Sequence, residues 1–129
     1  MEGIAESLIG HPCEALILEQ YWYEANLTAP ANVCWLGFCG SWYRLYLDAG
    51  SVHWTTSSDG PKSYDMPELD AEVTLMDLGN DFDLVRDVMT SYAVGIVDHG
   101  VEVSLGFESG KFVTLRNAAD DTTTYSCTA

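Results

Sequence analysis

The sequence predicts an α+β domain, mainly antiparallel β-sheet with one or two short helices on one face. Three observations carry that expectation. Val101, Val103, Leu105 and Phe107 alternate with Glu102, Ser104, Gly106 and Glu108, the period of a strand with one buried and one wet face. Residues 33–56 are rich in β-branched and aromatic side chains and are broken by glycine-containing turns. Helical spacing occurs only in short pieces.

The elements follow in chain order. Residues 2–9 read as a short amphipathic helix stopped by Gly10 and Pro12. Residues 14–28 carry two signals, because Glu, Ala and Leu favour a helix while Tyr21-Trp22-Tyr23 favours a strand. The strand reading is adopted. Residues 33–38, 42–47 and 51–56 are strands, the last two joined by the turn Asp48-Ala49-Gly50. Along the middle one, Tyr43, Leu45 and Leu47 share a face, and Trp42, Arg44 and Tyr46 share the other. Residues 57–64 form a turn-rich linker. Phe82, Val85, Met89 and Tyr92 fall on one face of a helix that Asn80 or Asp81 would cap. Ser109-Gly110 then returns the alternating strand as residues 111–116, with Val113 and Leu115 inward, and an edge strand covers 122–127.

A single domain over 1–129 accommodates all of this, and such a chain buries roughly two-thirds of its unfolded surface. Leu36-Gly37-Phe38 recurs as Leu105-Gly106-Phe107, each before a short break and an alternating strand. That spacing, about 69 residues, suggests a helix-plus-hairpin unit duplicated over 1–56 and 65–129. Any two hairpins share this much, so the echo competes with coincidence.

Composition narrows the function classes. With 47% hydrophobic and 12% aromatic residues, the chain is too apolar for a disordered acidic tail. It has no apolar run of about 18 residues to span a membrane, and Met1 to Glu6 lacks the positive n-region of a signal peptide. The expected location is the cytoplasm. Against 20 Asp and Glu stand 5 Lys and Arg, a net charge of −15, which disfavours direct nucleic-acid binding.

Catalytic constellations are scarce. The sequence has no Gly-x-Gly-x-x-Gly, no Walker loop, no Gly-x-Ser-x-Gly and no His-Glu-x-x-His. Cys13, Cys34, Cys39 and Cys127 contain one Cys-x4-Cys spacing and no Cys-x2-Cys, and His11, His53 and His99 are scattered. No metal or cofactor is expected, and the cysteines read as buried, inert thiols. A nucleophile–base pair could form only in space, as Cys39 with His53 would.

The acids are uneven. Asp65, Glu68, Asp70, Glu72, Asp77, Asp81, Asp83 and Asp87 crowd one stretch in which Arg86 is the only base; Asp98, Glu102, Glu108, Asp120 and Asp121 form a second group. Solubility or salt tolerance would explain them. So would docking to a basic protein, or mimicry of nucleic-acid phosphates as a special case of it. Nine aromatics, including all four tryptophans, lie between residues 21 and 54. Adjacent rings in Tyr21-Trp22-Tyr23 and Trp42-Tyr43 cannot all face one side of a strand, so some are candidate interface anchors.

In length, charge and the run Trp42-Tyr43-Arg44-Leu45-Tyr46-Leu47-Asp48-Ala49-Gly50-Ser51-Val52-His53-Trp54, the chain resembles the small acidic immunity proteins of bacterial polymorphic-toxin systems. The resemblance implies an inhibitor that covers the active site of a basic toxin, often a nuclease. The leading expectation is thus a non-catalytic acidic protein, with Asp65 to Asp87 as steering charge and Trp22, Trp42 and Trp54 as anchors. The competing expectations are a small-molecule or enzyme pocket lined by Trp35, Trp42 and Trp54 near His53, and a homodimer through the aromatic face.

Overall fold

In the computed structural model, which describes residues 3–129, α1 (Ile4–Leu8) leads into β1 (Cys13–Tyr23), β2 (Asn26–Phe38), β3 (Ser41–Asp48) and β4 (Ser51–Ser57). Next come β5 (Tyr64–Met66), a 3-10 turn at Pro67–Leu69 and β6 (Ala71–Asp77). The short α2 (Leu78–Asp81) precedes β7 (Met89–Val97), β8 (Gly100–Phe107), β9 (Phe112–Ala118) and β10 (Thr123–Thr128).

All strand pairs are antiparallel. They form a six-stranded sheet in the order β4-β3-β2-β1-β6-β5 and a four-stranded sheet in the order β10-β9-β8-β7. Alternation decides which side of each strand is buried. Leu16, Leu18, Cys34, Leu36, Leu45 and Leu47 of the first sheet join Val103, Leu105, Val113 and Leu115 of the second in one core, with Leu8, Leu84 and Met89 completing it. The two sheets therefore cover each other, and the molecule is mostly β.

Several expectations need correction. The helices are too short to lie across a sheet; α1 touches β4 and β7, and α2 touches β1. Residues 82–92 are not a helix: α2 ends at Asp81, and Met89 and Tyr92 belong to β7. Asp83 and Arg86 take positive φ (56° and 77°), a left-handed geometry that stops a helix. The cap of α2 is Asp77, whose carboxylate accepts from the Asn80 backbone N–H at 3.1 Å, rather than Asn80 or Asp81. Within the predicted first helix, residue 2 lies outside the described residues and 4–8 are helical. The ambiguous 14–28 segment is a hairpin, β1 turning at Glu24-Ala25 into a β2 that begins at Asn26.

The linker at 57–64 does not separate the sheets, because β5 and β6 after it pair back onto β1. The chain changes sheet only after Asp77. Each sheet does contain a four-strand meander preceded by a short helix. Leu36-Gly37-Phe38 and Leu105-Gly106-Phe107 occupy matching places at the ends of β2 and β8. In both, an aromatic from the paired strand faces the glycine, Trp42 opposite Gly37 and Phe112 opposite Gly106. A Cβ at Gly106 would come within 2.8 Å of the Phe112 ring, so the close approach requires glycine.

At one end the sheets are clasped by polar groups. Asn117, fully buried, donates to Asp121 Oδ1 (3.0 Å) and Thr123 Oγ1 (2.8 Å) and accepts from the Gly50 N–H (2.6 Å). Asp121 also accepts from Asn32 Nδ2 and the Ala49 N–H, which ties β2 and the β3–β4 turn to the turn between β9 and β10. A buried amide with its donors and acceptor satisfied fixes how the sheets register rather than adding much net stability.

Candidate functional site

The first sheet is wider than the second, so part of its inner face is uncovered. Cover ends near Met76, whose sulfur accepts from the Tyr125 hydroxyl of β10 at 3.1 Å. Past that contact, on the face of β1 that holds Leu16 and Leu18, the next positions are Gln20 and Trp22. Trp22 is directly opposite Glu72 of β6, which is directly opposite Asp65 of β5. The Trp22 indole N–H donates to Thr74 Oγ1 at 2.9 Å and pins the ring across β6.

A loop closes the end of this ledge. The 3-10 turn puts Asp70 in left-handed geometry (φ 52°), and its carbonyl accepts from the Glu24 N–H at 2.8 Å. Glu24 and Ala25 of the β1–β2 turn are left-handed too, without the glycine such a turn favours. Strain of this kind is held only where neighbouring structure enforces it. The result is an open cleft of about 350 Å3 lined by Trp22, Ala25, Asp65, Pro67, Asp70, Ala71 and Glu72. No Lys or Arg is in that lining. Glu68 is exposed on the adjoining turn, and Tyr23, Leu27, Tyr64 and Leu69 put exposed apolar surface on the same end of the molecule.

The structure thus gathers five of the expected contact residues, Trp22, Asp65, Glu68, Asp70 and Glu72, and separates the rest. Asp77 ends β6 and Asp81 closes α2, so the continuous acidic field expected from Asp65 to Asp87 is split in two. Asp77 is spent on its cap. Asp83 lies 3.9 Å from Lys111 Nζ, and Asp87 accepts from the backbone N–H and hydroxyl of Ser109. Within the second acidic group Glu102 pairs with Arg116 across β8 and β9, and Asp120 accepts from the Thr122 N–H, the main cause that holds its carboxyl below the usual range.

Trp42 and Trp54 belong elsewhere. Trp42 is on the outer face of the first sheet, edge-on to Trp35 with ring centroids 6.4 Å apart. Arg44 spans Trp35 and Tyr46 there, 6.0 and 5.2 Å from their centroids, and the Trp35 indole donates to Glu19. Trp54 faces the other way, between the sheets at the opposite edge, where its indole donates to the Tyr92 hydroxyl at 3.1 Å. A pocket shared by Trp35, Trp42 and Trp54 near His53 is therefore not formed: His53 is exposed opposite Tyr46, with Trp54 on the reverse face.

The Cys39–His53 dyad is not formed either. Cys39 is in the turn before β3, whereas His53 pairs with Tyr46 toward the other end of that strand. Five residues of extended chain put about 17 Å between those positions. All four sulfurs are free. Cys13 and Cys34 are buried and Cys127 is half-buried, but Cys39 is exposed, contrary to the expectation of four buried thiols. Burial pushes the Cys13 thiol up to about 12 and raises Cys34 and Cys127 as well. Among the described residues no three His, Cys, Asp or Glu side chains converge as a metal site, and no helix is long and apolar enough to cross a membrane.

Asn117 and Thr74 escaped the sequence reading. Asn117 was legible, since Val113, Leu115 and Asn117 continue one inward alternation and a polar group there must find partners. The chain matches no protein-family model, no curated protein and no solved structure.

Proposed function

We propose that the protein is a non-catalytic inhibitor of a basic protein partner, with the Trp22 ledge as its docking surface. The observation that carries this reading is the convergence of Trp22, Asp65, Asp70 and Glu72 on an open cleft without a cation. Asp65 and Glu72 are directly opposed, a like-charge pairing that costs the free sheet stability and that a bound cation would reverse. A Lys or Arg entering the cleft would lay its stem on the indole and its charged head between the carboxylates. Exposed Leu27, directly opposite Trp22, and Leu69 on the adjoining turn supply apolar area around it. Such a face suits an immunity-like protein that covers the active or nucleic-acid-binding site of a cytoplasmic toxin.

The test is capture of the partner at low salt on immobilised protein, then stopped-flow association with the purified partner. The partner is expected to be basic, and its association rate to fall at least about tenfold from 50 to 500 mM salt, as the Debye length shrinks from ~14 to ~4 Å. Asp65→Lys with Glu72→Lys should slow association about tenfold further at 50 mM salt, whereas Asp83→Asn should leave it within about twofold. Trp22→Ala should act on dissociation, by about 30-fold for a central anchor worth ~2 kcal/mol. A rate indifferent to salt, or equal losses from the Asp65/Glu72 and Asp83 variants, overturns the proposal.

A further inference from the structure

We infer that the free edge of β7 is a self-association surface, on which a second copy of this chain adds its own β7 antiparallel about a two-fold axis. The edge belongs to the second sheet, where among the described residues β7 pairs only with β8. Its first residue is already occupied: the Met89 carbonyl accepts from the Gly10 N–H and the Met89 N–H donates to the His11 carbonyl. The segment beyond is bare. In a chain of net charge −15, residues 88–97 hold no charged side chain, with Asp87 and Asp98 marking the ends of the gap. Ile96 is 94% and Val94 48% exposed. Both are directly opposite core residues of β8, Val101 and Val103, so the apolar inner face of the sheet runs out into solvent there.

The devices that normally protect an edge are missing from this stretch. It has no Lys, no Pro and no bulge after Ser91. The other edges differ: β5 has only three residues, while β4 and β10 are rich in Ser and Thr. Backbone polarity points the same way. The two-residue turn Asp98-His99 makes Val97 and Gly100 a hydrogen-bonded pair, which turns the N–H and C=O groups of Tyr92, Val94 and Ile96 outward.

The occupant follows from what these positions can accept. An added strand would meet Tyr92, Val94 and Ile96 on one face and Ala93 and Gly95 on the other, none of which could neutralise a Lys or Arg. A strand from a basic partner would leave its cations unpaired, whereas β7 itself is uncharged and self-complementary. Centring the two-fold on Val94 pairs Ile96 of each copy with Tyr92 of the other and forms about six backbone hydrogen bonds. The contact would bury on the order of 600–800 Å2 in total, less than the ~1,200 Å2 of a stable interface. With two chains of like charge brought together, this is a weak, concentration-dependent dimer that salt strengthens. That dependence is opposite in sign to the one expected for the acidic ledge, so either proposal can fail without the other.

Sedimentation velocity from 10 μM to 1 mM, in 50 and 500 mM NaCl, tests it. The mass is expected to rise from 14.2 kDa toward twice that value, with the apparent Kd several-fold lower in high salt. Val94→Lys and Ile96→Lys, at exposed positions, should each hold the protein at 14.2 kDa throughout with an unchanged far-UV circular dichroism spectrum. A monomer at 1 mM in both salts, a dimer that survives both substitutions, or a dimer weakened by salt overturns the inference. So would assemblies that grow past two chains, because a closed two-fold contact cannot propagate.

Discussion

Two groups of carboxylates, neighbours in the chain, have opposite places in the molecule. Asp77 and Asp87 are hydrogen-bonded within their own fold, to a helix N-terminus and the Ser109 turn, and Asp83, although 95% exposed, lies 3.9 Å from the Lys111 ammonium. Asp65, Glu68, Asp70 and Glu72 are exposed, and among the described residues their carboxylates have no hydrogen-bond or ion-pair partner. Residue for residue, the two groups count alike toward net charge. Only the second is left free for something outside the molecule. The lesson is that a charge run becomes informative once the carboxylates the fold has consumed are subtracted from it.

The largest pH effect expected belongs to neither group, and it sets the background for comparing them. Buried Cys13, held up to about 12, and buried Cys34, also raised, keep their protons where an unfolded chain with thiols near 8.5 would lose them. A raised folded-state value gives stability that is complete below the unfolded value and is lost as pH climbs toward the folded one. Each thiol should therefore remove about 1.4 kcal/mol per pH unit above pH 9, together nearly 3. Urea unfolding at pH 8, 9 and 10 reads this slope, and Cys13→Ala with Cys34→Ala should flatten it. If the slope survives that double substitution, other groups held above their ordinary values by burial, half-buried Cys127 and Tyr92, are responsible, because the surface carboxylates are fully ionised throughout this range.

Next in size is the cost of removing the engaged acids. Asp87→Ala leaves the Ser109 backbone N–H without its carboxylate and loosens the β8–β9 turn, for about 1–2 kcal/mol. Asp77→Ala removes the cap of α2, for about 1 kcal/mol. Both are read as a lower urea midpoint with an unchanged m-value. Losses under a few tenths of a kcal/mol would mean that these side chains are as idle as Glu72, and the contrast would collapse.

Much of the fold was legible because its signals are local. Asp48-Ala49-Gly50 and Ser109-Gly110 announced their hairpins, with Gly50 and Gly110 at positive φ, and alternation placed Leu45, Leu47, Val103, Val113 and Leu115 in the core. The segment 82–92 misled because Phe82, Val85, Met89 and Tyr92 satisfy a 3.6 period by accident. What decides it is non-local: Cys13 accepts from Arg86 and donates to Asp87, and Pro12 bridges Val88, all through the backbone and more than 70 residues away in sequence. The site failed for the same reason. The adjacency of Trp22 to Glu72 and Asp65 comes from β6 returning to β1 across 50 residues, and no local pattern encodes a return. The types of residue were readable at the sequence level; which of them meet was not.

The smallest expected effect is the most discriminating. If the ledge carboxylates serve the fold in no way, neutralising them should not hurt it, and removing opposed like charges should help. Asp65→Asn and Glu72→Gln preserve shape while deleting the repulsion between β5 and β6. Each should raise stability by up to about 0.5 kcal/mol at low ionic strength, and by less at 500 mM salt where the repulsion is already screened. The gain must shrink with salt to support the argument, because a salt-independent gain would come from packing rather than charge. A loss of about 1 kcal/mol in either variant would show that the sheet needs these acids. The ledge would then be scaffold, and its exposed negative charge would no longer require a partner to explain it.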